Sequence, residues 1–114
     1  DRQAAIRKYG ELVAWIQELQ PNAYLVLEAN LHITEAKSEG DDIFNNENIN
    51  EINDAIHQIA EEKNLGWLDV NELFDDENGN LNADLSADGA HVLGKYYRDW
   101  SDWILQKVQQ QDVK

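Results

Sequence analysis

Apolar and polar positions along the chain alternate between two rhythms. Residues 2–19 carry Ile6, Tyr9, Leu12, Val13, Ile16 and Leu19 at three- and four-residue steps, one stripe of a helix. Pro21-Asn22 stops it. The run Ala23-Tyr24-Leu25-Val26-Leu27 is apolar without alternation, which predicts a strand covered on both faces, as in a parallel sheet. Residues 29–47 are polar and rich in Asn and Asp, and predict a long loop of the functional or mobile kind. A second helix is expected over residues 48–63, with Asn48 and Glu51 as its capping box and Ile49, Ile52, Ile56 and Ile59 as its buried stripe.

After Asn64-Leu65-Gly66, the segment Trp67-Leu68-Asp69-Val70 reads as a second short buried strand. Asn71 to Phe74 predicts a helical turn, and Asp75 to Asn80 an acidic turn around Gly79. A last helix is expected over 93–107, its stripe made of Leu93, Tyr96, Tyr97, Trp100, Trp103 and Ile104, continuing to Val108. The order helix, strand, helix, strand, helix predicts an α/β architecture with parallel strands and right-handed crossovers. Two parallel strands make an incomplete sheet. Residues 1–114 are therefore expected to be one partial domain. A start at Asp1 without Met or a leader-like apolar stretch fits the same expectation.

Charge narrows the function. A net charge of -14 repels nucleic acid and anionic lipid surfaces, so neither is an expected partner. It is compatible with an extracellular or cell-surface bacterial protein. No apolar run is long enough to span a membrane. The absence of Cys removes disulfides, thiol catalysis and thiolate zinc sites.

The chemistry-bearing segment is Leu85-Ser86-Ala87-Asp88-Gly89-Ala90-His91-Val92. Asp three residues before His can fold back so that the carboxylate accepts from imidazole Nδ1–H. That leaves Nε2 as a base. Alone, the tetrapeptide fits better a surface turn in which Asp88 forms an Asx turn.

The wider context selects a family. Asp88-Gly89-Ala90-His91, followed by Tyr96-Tyr97 and Trp100, resembles the last block of the SGNH/GDSL hydrolases. Upstream, Tyr9, Leu12-Val13 and Pro21-Asn22-Ala23 resemble the helix and entry before that family's fourth strand. Asn48 to Asn53 resembles its Asn-bearing helix, and Leu68-Asp69-Val70 through Gly79-Asn80-Leu81 resembles the run into the Asp-x-x-His turn. Two positions depart from the pattern: Leu93 stands where a capping Ser or Thr is common, and Tyr96 where Gly is usual.

The resemblance implies the C-terminal half of a three-layer α/β/α, flavodoxin-like fold. It also implies an ester hydrolase working by acyl transfer, with Asp88 and His91 as two members of a Ser-His-Asp triad. No cofactor or metal is implied. The implied substrates are small acyl esters, including acetylated carbohydrates. The sequence has no Gly-Asp-Ser and no Gly-x-Asn-Asp. The nucleophile and oxyanion hole are thus expected from an N-terminal half of the same domain, and the chain alone is expected to be inactive. By resemblance, Asp69 caps the turn that follows it.

Other residues have competing readings. His32, past the first strand, stands where open α/β sheets place ligands and is a candidate to line the substrate pocket; a solvated loop His is the alternative. His57 receives no role. Ser38, Ser86 and Ser101 lie on no strand-to-helix elbow and read as structural. The acidic turn at 75–79 fails the EF-hand spacing, because Phe74 holds a position that needs a ligand. The alternative to an enzyme is a non-catalytic α/β binding or assembly module, and open strand edges could drive self-association.

Overall fold

The computed structural model describes residues 2–112. The chain runs α1 (Arg2–Leu19), β1 (Val26–Glu28), α2 (Glu35–Glu39), α3 (Asn46–Glu62), β2 (Gly66–Leu68), α4 (Asn71–Phe74) and α5 (Tyr97–Asp112). Single 3₁₀ turns lie at Ala83–Leu85 and Gly94–Tyr96. β1 and β2 pair in parallel, with Leu27 opposite Trp67. The expected parallel α/β arrangement is present.

Two cores form, one on the strands and one beyond them. Leu27 packs with Val13 of α1 and with Ile56 and Ala60 of α3; Trp67 joins from β2. Beyond the sheet, Val70, Phe74, Leu81 and Val92 form a second cluster, closed by Tyr96, Trp100 and Trp103 at and within α5. Phe74 meets Trp100 edge-on at 5.4 Å. The indole N–H of Trp100 donates to Glu28 at 3.0 Å, tying α5 to β1. The aromatic stripe on α5 is mainly core, apart from Tyr97, which is exposed.

Several boundaries differ from the sequence expectation. Both strands are shorter: Val26–Glu28 in place of 23–27, and Gly66–Leu68 in place of 67–70. Ladder pairing exists only where the two backbones run alongside. The 29–47 segment contains α2, capped by Thr34. α3 starts at Asn46, and its cap is Asn45, whose side chain accepts from the Asn48 amide. Asn48 is therefore inside the helix and not its capping box. The last helix begins at Tyr97, after a tight turn that leaves Leu93 outside it. Of the α1 stripe, only Val13 is fully buried, and Leu12 and Leu19 are exposed. The packing of α1 against α3 covers one side of that stripe.

The segment linking β1 to α2 is held by asparagines. Asn53 accepts from the Asn30 amide at 2.8 Å and donates to the Asn30 carbonyl at 3.0 Å. Asn71 accepts from the His32 amide at 2.8 Å. Asn46 accepts from the Ile33 amide at 2.8 Å and donates to its carbonyl at 2.7 Å. Buried backbone outside regular structure must find such partners, so these side chains stand in for a ladder.

Candidate active site

Asp88 and His91 sit on a loop closed at its base by an antiparallel bridge between Ser86 and Val92. The Leu93 amide donates to the Leu85 carbonyl at 2.8 Å, and Val92 plugs into the second core. The loop therefore hangs from packed residues while its tip faces solvent.

Within it, the carboxylate organises its own turn. Asp88 Oδ1 accepts from the Ala90 and His91 amides, each at 2.8 Å. Asp88 Oδ2 meets His91 Nδ1 at 2.6 Å. Ser86 Oγ donates to Asp88 at 3.3 Å and accepts from the Gly89 amide at 2.9 Å. The Ala90 amide first, then the His91 ring and amide, hold the Asp88 carboxyl far below the usual carboxylate range. A charge-assisted bond at this distance sets the imidazole's orientation and tautomer. The Asx turn and the Asp-His pair, alternatives in the sequence, are both present and use different oxygens of one carboxylate. The His91 side chain is 80% exposed. With Nδ1 engaged, Nε2 is the nitrogen left for proton transfer.

Gly89 makes this geometry accessible. Its φ is +85°, and a Cβ there would stand 3.0 Å from Thr34 Oγ1 and 3.2 Å from Lys37 Cδ. Its carbonyl accepts from the Thr34 amide at 2.9 Å, joining the turn to the loop after β1. Gly89→Ala should cost about 1–3 kcal/mol from left-handed strain, before the crowding is counted. Gly79→Ala is the control, with φ +83° and open space around it. Thermal unfolding of both variants should show the larger loss at position 89, and equal losses would mean that the Thr34 contact is irrelevant.

His32 lies in surroundings unlike the solvated loop position considered from sequence. It is 7% exposed. Its Nδ1–H donates to Asp75 at 2.8 Å, and Nε2 meets Asn50 Oδ1 at 2.6 Å. The bond to Asp75 raises its pKa above the ordinary value, against the opposing effect of burial. Asp69 caps the following turn through the Asn71 amide at 3.1 Å. His57 stacks flat on Trp67 at 4.5 Å. Ser38 accepts from the Asn46 amide, and Ser86 serves the Asp88 turn. Neither serine is paired with His91.

The sequence reading missed the asparagine clamp. Its signal was the spacing of Asn46, Asn50 and Asn53, which recur at four and three residues on α3 and so share a face. Among the described residues, no group of three or more His, Asp or Glu side chains converges as a metal site, and no helix is long and apolar enough to cross a membrane.

Comparison with known proteins shows the fold and the family. A solved chain from Streptococcus pneumonia, provisionally described as a platelet activating factor, superposes with a TM-score of 0.76 at 20% identity, over 90% of this chain and 49% of that one. That likeness is one of fold. The isoamyl acetate-hydrolyzing esterase of Saccharomyces cerevisiae is 31% identical over 64 residues, which are 56% of this chain and 27% of the esterase. The chain thus spans about half or less of the proteins it matches. The family model for GDSL-like lipases and acylhydrolases matches residues 1–110. The chain belongs to the GDSL-like lipase/acylhydrolase family.

Proposed function

We propose that this chain supplies the acid-base half of a serine esterase. The observation that carries the reading is the 2.6 Å contact between Asp88 Oδ2 and the Nδ1 of a solvent-open His91. In this mechanism His91 Nε2 takes the proton from a serine hydroxyl as its oxygen attacks the ester carbonyl. The imidazolium then returns that proton to the departing alcohol, and the acyl-enzyme is hydrolysed by water through the same base. Asp88, kept ionised by the Ala90 amide and by the ring and amide of His91, orients the ring and stabilises its charged form.

The nucleophile and the oxyanion-hole donors come from residues outside this sequence, in an N-terminal half of the same domain. Small acyl esters are the substrate class. A largely apolar cleft of about 380 Å³ past the C-terminal end of β1, lined by Leu31, Ile43, Phe44, Ile49 and Ile52 with two asparagines at 30 and 48, supports it.

A fluorophosphonate probe tests the division of labour. The 114-residue chain should stay unlabelled, while a protein that adds the Gly-Asp-Ser segment should react at that serine. Labelling of Ser38, Ser86 or Ser101 would overturn the assignment.

A further inference from the structure

We propose that His32 is a positioning residue for the Asp88–His91 turn, acting by bridging Asp75 and Asn50 and so fixing the loop whose end holds Gly89. The inference rests on the catalytic reading above and adds a group that this reading does not use.

His32 joins two separate elements of the fold. Asp75 follows α4, and Asn50 projects from α3. The ring spans both, with Asp75 Oδ1 and Oδ2 at 3.1 and 2.8 Å and Asn50 Oδ1 at 2.6 Å. An oxygen faces each ring nitrogen, an arrangement that favours the protonated ring. The backbone on either side is held as well. The His32 amide goes to Asn71, and the Ile33 amide and carbonyl go to Asn46. The Ile33 carbonyl also accepts from the Leu81 amide at 3.1 Å.

The next residue is Thr34, whose amide donates to the Gly89 carbonyl at 2.9 Å and whose Oγ1 would stand only 3.0 Å from a Cβ at Gly89. Only Ile33 separates the ring from the contact that seats the Asp88 turn. Asp88 and His91 are themselves exposed, so their placement against a substrate depends on this seat. A loop displaced by even 1 Å costs a reaction of this kind about 100-fold.

The lock titrates. The groups facing the ring are Asp75, Asn50 and, at longer range, Asp69, and all three favour the protonated form. The group's folded pKa is raised, so its contribution is complete below the unfolded value of about 6.5 and is lost as pH rises through the folded value. Turnover should therefore carry an alkaline limb that belongs to His32.

The test is steady-state kinetics across pH on the protein carrying this chain with its nucleophile segment. In His32→Gln, kcat should fall about 10- to 100-fold with KM within twofold, and the alkaline limb should vanish. Should that variant not fold, Asn50→Ala takes its place. It removes one acceptor that favours the charged ring, so the limb should move to lower pH. A wild-type profile in whichever variant is read overturns the positioning role. His91→Ala is the reference arm. If it retains activity, the catalytic reading itself fails, whereas an inactive His91→Ala beside an unaltered His32→Gln overturns the positioning role alone.

Discussion

In the protein carrying the complete domain, His91→Ala is expected to lower kcat by about 10,000-fold to 1,000,000-fold while leaving KM nearly unchanged. The size follows from the role. Without Nε2, the serine proton has no acceptor in the attack, and the leaving alcohol has no donor. Members of a triad act as one unit, so losing the base removes most of what the unit provides. The residue's exposure makes the experiment clean. The side chain is 80% exposed in this half and packs against none of its cores, and substitutions at such positions usually stay within about 0.5 kcal/mol of this half's stability. A large kinetic loss would therefore report chemistry and not unfolding. Asp88→Asn should fall by about 10,000-fold, because an amide can present the wrong partner to Nδ1 and select the wrong tautomer. Near-normal turnover in His91→Ala would end the assignment.

Asn46→Ala should destabilise the protein by about 2–4 kcal/mol, a large share of an ordinary domain's stability. Asn46 is buried, and its side chain makes three bonds: from the Ile33 amide at 2.8 Å, to the Ile33 carbonyl at 2.7 Å, and to Asn80 Oδ1 at 2.7 Å. Alanine leaves the Ile33 amide and the Asn80 oxygen without these partners. The Ile33 carbonyl keeps the Leu81 amide. A buried donor left unmade costs about 1–3 kcal/mol, more than a typical made bond contributes. Asn46→Asp sharpens the test: it keeps an acceptor for the Ile33 amide but turns two donated bonds into repulsions between oxygens. It should be at least as damaging as alanine. Urea unfolding of the three proteins measures this, and a loss below about 0.5 kcal/mol for alanine would show that the clamp does not hold the loop.

By itself the sequence determined the helix periodicities, the apolar runs that became parallel strands, and the Asp-x-x-His spacing that lets a carboxylate reach back to Nδ1. Each is local, set by side-chain period or by a three-residue turn. The ends of the elements were less legible. Asn48 is the expected cap of α3 and Asn45 takes that place, because the cap depends on where the preceding loop delivers the chain.

Tertiary structure decided the rest. His32 and Asp75 are 43 residues apart, Asn46 and Asn80 are 34 apart, and Thr34 meets Gly89 across 55. Pairings at such separations exist only once β1 and β2 lie side by side and α3 packs on them. The pattern along the chain therefore showed the Asp-His pair, but not the buried histidine and asparagines behind it. Their function depends on burial and hydrogen bonding across the fold, which residue spacing does not encode.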